Sequence, residues 1–68
     1  MNEDVLNMSV RKFLKKFGVT AQRELERALA EAVRAGRLAP DARLPVRATV
    51  RVEGIDLVFE VDGTLELA

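Results

Sequence analysis

The sequence predicts a small α+β domain in which a two-helix hairpin packs on a small three-stranded antiparallel sheet, in the order ααβββ. Up to residue 35, apolar side chains recur with helical spacing, and from residue 46 onward they alternate with a period of two. The chain has 68 residues, of which 49% are hydrophobic and 32% charged, which is typical of one folded unit. We therefore expect a single domain over residues 1–68.

The first predicted helix spans residues 2–17. Asn2 can cap its first turn, and Gly18 can end it in a left-handed conformation. Its apolar face consists of Leu6, Val10, Phe13, Leu14 and Phe17.

The second predicted helix spans residues 21–35, between a capping Thr20 and a terminating Gly36. Its apolar face consists of Ala21, Leu25, Ala28, Leu29, Ala32 and Val33. The many alanines let another helix approach closely, and Phe13 and Phe17 are bulky enough to fill the space. Only two residues follow Gly18 before this helix begins, so we expect the two helices to be neighbours.

After a loop at 37–45 that contains two prolines, residues 46–52 and 55–61 predict a β-hairpin with Glu53-Gly54 as a two-residue turn. This register makes four apolar pairs on one face and two pairs of opposite charge on the other. The pairs are Val52 with Ile55, Val50 with Leu57, Ala48 with Phe59 and Val46 with Val61, then Arg51 with Asp56 and Arg47 with Glu60.

A third short strand, residues 64–67, is predicted after a three-residue loop, Val61-Asp62-Gly63, with Gly63 left-handed. This strand would leave one edge of the sheet open, and an open edge favours self-association.

Cysteine and histidine are both absent. The chain therefore has no disulfide, no thiolate metal site and no Ser-His or Cys-His nucleophile pair. Five carboxylates near the C-terminus are candidates for acid–base or metal chemistry, but the hairpin register favours ion-paired scaffolding: Glu53, Asp56, Glu60, Asp62 and Glu66. We expect a non-enzymatic protein without a metal, a cofactor or a small-molecule substrate.

Charge and hydropathy predict a cytoplasmic protein without a membrane span. No apolar run approaches the roughly 20 residues that a spanning helix needs, and the N-terminus is acidic where a signal peptide is basic. Residues 1–52 carry eleven basic and six acidic side chains, whereas residues 53–68 carry five acidic and no basic ones. We expect the two parts to neutralise each other in the fold.

The outward face of the first helix is a candidate partner-binding surface. Val5 and Met8 lie there among Arg11, Lys12 and Lys15. Apolar side chains in a basic field can dock a partner helix, a second copy in a homodimer, or an anionic surface. The alternative is a solvated lysine face with two incidental apolar residues.

Nucleic-acid binding is a second functional interpretation. Two helices joined by a short turn and followed by a hairpin look like a helix-turn-helix with a wing, and basic side chains from Arg11 to Arg27 could contact phosphates. Glu24 on the second helix, the lack of a third helix and the zero net charge argue against this interpretation.

The N-terminal segments 1–4, 6–9, 11–16 and 18–20, and more loosely 22–26 and 36–38, resemble a family of short uncharacterised proteobacterial proteins, a domain of unknown function. The resemblance covers essentially the whole chain. It implies a bacterial, cytoplasmic protein with no assigned activity, and the family offers no catalytic or binding residues to transfer.

Overall fold

A computed structural model describes all 68 residues and contains one helix followed by a two-stranded antiparallel sheet. Helix α1 spans Glu3–Arg34, strand β1 spans Arg43–Val52 and strand β2 spans Leu57–Glu66. The chain divides into two compact units, Met1–Arg37 and Leu38–Ala68. The α+β content is confirmed, whereas the order ααβββ is wrong because the structure has one helix and two strands. The single domain over residues 1–68 stays a prediction.

Helix α1 begins as the sequence predicts. The Asn2 side-chain oxygen accepts hydrogen bonds from the backbone N–H groups of Asp4 and Val5, at 3.0 and 3.1 Å. Two donors that have no partner within the helix are thereby satisfied. Glu3 and Asp4 place negative charge in the first turn, where it interacts favourably with the helix dipole.

The predicted end of the helical region at Gly36 is also confirmed. Gly36 adopts a φ of 76°, and its N–H donates to the Val33 carbonyl at 3.0 Å. The Arg37 N–H donates to the Ala32 carbonyl at 2.9 Å. These two bonds form a Schellman motif, which satisfies the last carbonyls of the helix.

The predicted break at Gly18 is wrong, as is the predicted cap at Thr20, because α1 continues through both residues. The apolar spacing stays in phase across the glycine: Phe17 and Ala21 are four residues apart and share a helix face. A glycine inside a helix costs about 1 kcal/mol relative to alanine. A helix of 32 residues with both ends capped accommodates that cost.

The predicted antiparallel hairpin is confirmed, but its register differs by two residues. The connection is a four-residue turn, residues 53–56, instead of Glu53-Gly54 alone. Ala48 therefore lies opposite Val61, and Val50 lies opposite Phe59. Because side chains alternate with a period of two, this shift leaves every side chain that stays in the two strands on its predicted face, whereas Ile55 and Asp56 move into the turn.

The predicted third strand and the loop before it are wrong, since β2 continues through Asp62 and Gly63 to Glu66. The longer ladder pairs Leu44 with Leu65 and brings Pro45, which was expected in a loop, into β1. Proline is tolerated there because both strands of a two-stranded sheet are edge strands.

The polar face of the hairpin carries cross-strand ion pairs. Arg47 Nε lies 2.6 Å from Asp62 Oδ1 and 3.5 Å from Glu60 Oε2, and Arg43 Nε lies 3.2 Å from Glu66 Oε1. The predicted pairing of Arg47 with Glu60 is thus confirmed as a diagonal contact. The predicted pairing of Arg51 with Asp56 is wrong, because Asp56 lies in the turn with a φ of 53° and Arg51 lies opposite Val58.

Substitution of Gly18 and Gly36 tests whether the helix is continuous. We expect Gly18→Ala to increase helix stability by about 1 kcal/mol, because a Cβ there meets no atom within 4 Å and alanine favours the helical backbone. Thermal melts followed by far-ultraviolet circular dichroism measure this change. Gly36→Ala is the matched control and should destabilise, because Gly36 has a positive φ. Destabilisation by Gly18→Ala as well would contradict the continuous helix.

The hairpin register can be read from proton–proton contacts. In nuclear Overhauser spectra we expect the backbone protons of Ala48 to contact those of Val61, and those of Thr49 to contact those of Glu60. A two-residue turn would instead give contacts between Ala48 and Phe59. If only the contacts between Ala48 and Phe59 were observed, the four-residue turn would be wrong.

Candidate protein-binding surfaces

Helix α1 carries one apolar stripe along nearly its whole length. Its members are Leu6, Val10, Phe13, Leu14, Phe17, Ala21, Leu25, Ala28, Leu29 and Ala32. Leu6, Phe17 and Ala28 repeat at intervals of eleven residues. An eleven-residue interval corresponds to about 3.67 residues per turn, close to the 3.6 of a straight helix. The stripe therefore stays on one side of α1 without winding around it.

The stripe is open to solvent. Six of its seven bulky members are between 38% and 53% exposed, and Leu29 is half-buried; the six are Leu6, Val10, Phe13, Leu14, Phe17 and Leu25. The rings of Phe13 and Phe17 stack on each other with centroids 6.3 Å apart, and about half of the surface of each residue remains exposed. Large contiguous apolar surfaces that remain exposed are typical of interaction sites, so the stripe is a candidate for one.

Side-chain size changes along the stripe. The half before Gly18 holds two phenylalanines, two leucines and a valine, whereas the half after it holds three alanines and two leucines. Side chains of the first half therefore project further from the helix axis than most of those in the second half. Small residues let a second helix approach closely.

The five residues predicted to bind a partner lie together on another side of α1, which we call the basic face. Val5 and Met8 are 64% and 67% exposed. A shallow groove is lined by Val5, Met8, Ser9, Arg11, Lys12, Leu14 and Lys15. The structure thus places all five predicted residues around one groove. Their binding to a partner stays a prediction.

The charges of α1 are segregated. Residues 5–23 contain five basic and no acidic side chains, and none of these cations forms an ion pair within the chain. Beyond residue 23, Arg27 pairs with Glu24, and Arg34 pairs with Glu31.

The predicted helix-turn-helix shape is wrong, because residues 18–20, which were predicted to form the turn, belong to α1.

The hairpin exposes a second apolar face. Leu57, Phe59 and Val61 are 41%, 44% and 58% exposed, and four side chains of β1 on the same face are half-buried: Leu44, Val46, Ala48 and Val50. On the opposite face, three of the five candidate carboxylates are held in the arginine pairs described above, and the other two lie in the turn. No three acidic side chains are arranged to hold a metal ion.

Sequence reasoning found every member of the stripe but placed them in a core. The structure leaves them exposed, and no residue of either unit is buried. The sequence does contain a signal for one continuous surface: the eleven-residue spacing crosses Gly18 without a change of phase. Two separate helices would have no reason to share that phase.

Comparison with known proteins identifies one family and no individual relative. No curated protein and no solved structure gives a significant match. No helix in the structure combines the length and the apolar character that crossing a membrane requires. One family profile, described as "Family of unknown function (DUF6494)", matches residues 1–68. The predicted resemblance to a domain of unknown function is thereby confirmed, and its proteobacterial origin stays a prediction. The chain belongs to this family of unknown function.

Proposed function

We propose that this protein is a non-enzymatic interaction module that self-associates through the apolar stripe of α1. One observation carries the proposal: 49% of the residues are hydrophobic, yet no residue is buried. Folded chains of this composition normally remove much of their apolar surface from water. A partner that covers the stripe removes that surface instead.

The free energy available from covering the stripe is of the same order as the cost of association. Complete burial of one bulky apolar side chain contributes about 1.5–3 kcal/mol. Six of the seven bulky stripe residues are about half exposed, so covering what remains of each contributes about 1 kcal/mol. Two chains together gain about 12 kcal/mol before the entropic cost of association, which is about 4–15 kcal/mol. We therefore expect weak to moderate self-association.

Residue chemistry supports the absence of catalysis. Ser9 is the only serine, and the chain has no histidine or cysteine to form a nucleophile pair with it. The acidic side chains of β2 are arranged for cross-strand pairing with arginines. None of these groups combines a nucleophile with a neighbouring base.

Nucleic-acid binding is the second candidate, and the run of unpaired cations at residues 5–23 is the observation that favours it. Phosphate contacts would make such binding weaken steeply with salt. Association through an apolar surface changes little with salt, because its driving force is hydrophobic. Titration with short duplex DNA and RNA at low and high salt separates the two candidates.

Charged substitutions locate the associating surface. We expect Phe17→Lys to abolish self-association, because it places a charge in the middle of the stripe. Val19→Lys is the matched control: it adds the same charge to the same helical turn on the other side, where Val19 is 53% exposed. Sedimentation equilibrium and light scattering, from about 1 µM to about 1 mM protein, measure the mass of each variant.

Met8→Lys makes the same change on the basic face. Loss of association in Met8→Lys with retention in Phe17→Lys would move the binding surface to the basic face and contradict the proposal. A mass of one chain for the unchanged protein at every concentration would do so as well.

A further inference from the structure

We propose that the stripe of α1 is covered by α1 of a second copy. The two helices lie antiparallel, and the two-fold axis between them crosses the pair at the level of residue 19. This inference rests on the proposed function and specifies its partner and geometry. In an antiparallel helix pair with this centre, residues meet when their numbers add to about 38. Eight of the ten stripe residues meet one another under that rule, whereas Leu14 meets Glu24 and Leu29 meets Ser9.

The side-chain sizes of two antiparallel stripes complement each other. Under the rule, the bulky half of one helix meets the alanine-rich half of the other. The contacts are Leu6 with Ala32, Val10 with Ala28, Phe13 with Leu25, and Phe17 with Ala21. In three of the four, a large side chain meets an alanine. Interdigitation of large and small side chains gives the packing density of a protein interior.

Symmetry doubles each of these contacts. A two-fold axis uses the same surface on both copies, so Val10 meets the second copy's Ala28 at one end, and Ala28 meets the second copy's Val10 at the other. A parallel pair would instead set Phe17 against Phe17 and Ala28 against Ala28. The first contact is crowded and the second leaves a gap.

The helix dipoles favour the antiparallel arrangement. In a parallel pair the two dipoles lie side by side in the same direction, whereas in the antiparallel pair they oppose each other. Side-chain charge does not distinguish the two arrangements, because with this centre Lys12 meets Glu26 but Lys15 meets Arg23.

An anionic membrane could also cover the stripe, but the stripe is less suited to a membrane than to a second helix. Glu24 lies on the stripe side of α1, three residues after Ala21 and four before Ala28. Anionic lipid repels a carboxylate in that place. The alanines of the second half add little apolar area for insertion, and membrane affinity scales with that area. The same alanines are what a close helix contact needs.

Spin labels measure the direction of the helices. The chain has no cysteine, so Asn7→Cys and Thr20→Cys each provide a single labelling position beside the stripe. At 1.5 Å per residue, the two labels of the Asn7→Cys dimer lie about 36 Å apart along the axis in the antiparallel pair. Those of Thr20→Cys lie about 3 Å apart along the axis, and only the width of the helix pair separates them. Pulsed electron paramagnetic resonance resolves the two cases.

A volume exchange tests the register independently. We expect Val10→Ala alone and Ala28→Val alone each to weaken the dimer about tenfold, through a gap and through crowding respectively. The double variant exchanges the two side chains, and the antiparallel register restores the original pairs at both ends. Its dissociation constant should return to within about threefold of the unchanged protein. Circular dichroism confirms that each variant remains helical.

The outcomes separate this inference from the proposed function. A dimer with long Asn7 distances, short Thr20 distances and a compensating double variant supports the antiparallel pair. A dimer in which the Asn7 labels lie as close as the Thr20 labels overturns it and leaves self-association standing. A monomer at every concentration overturns both. A monomer that binds phosphatidylglycerol vesicles but not phosphatidylcholine vesicles replaces the second copy with a membrane surface.

Discussion

The phase of the apolar side chains along α1 is the constraint on which the rest of the structure depends. Because this phase is unbroken across Gly18, forming one long helix gathers ten apolar residues into a single stripe. A turn at the glycine would divide them between two shorter faces. The hydrogen bonds at Asn2 and Gly36 then determine where the helix starts and stops. The exposed surface of the protein follows from these three features.

Local rules predicted the ends of the helix correctly and its middle incorrectly. Asn2 and Gly36 act through their own hydrogen bonds and backbone angles, which depend on a few neighbouring residues. Gly18 is compatible with both a helix end and a helix interior, and only the stripe on both sides of it decides between them. Glycine is a frequent terminator, so the local signal outweighed the longer pattern.

The hairpin shows a related limit. Alternation of side chains identifies the two faces, and it identified them correctly, but it cannot distinguish registers that differ by two residues. The ion pair of Arg47 with Asp62 and the contact of Leu44 with Leu65 distinguish them, and both require β2 to run through a sequence that reads as a turn. The candidate site was predictable as a set of residues. The solvent exposure of these residues was not predictable. Periodicity shows which side chains share a face, but it does not show whether another part of the protein covers that face.

The lack of any buried residue has a consequence for the lifetime of this protein in a cell. A chain that fully buries no side chain holds little hydrophobic free energy of its own, and a lone two-stranded hairpin is marginal in water. Under the proposed self-association, covering these faces contributes to the free energy of folding, so the folded fraction rises with the abundance of the chain. At low abundance more of the chain would then be unassociated and open to proteolysis, so the protein would persist best where its own concentration is high.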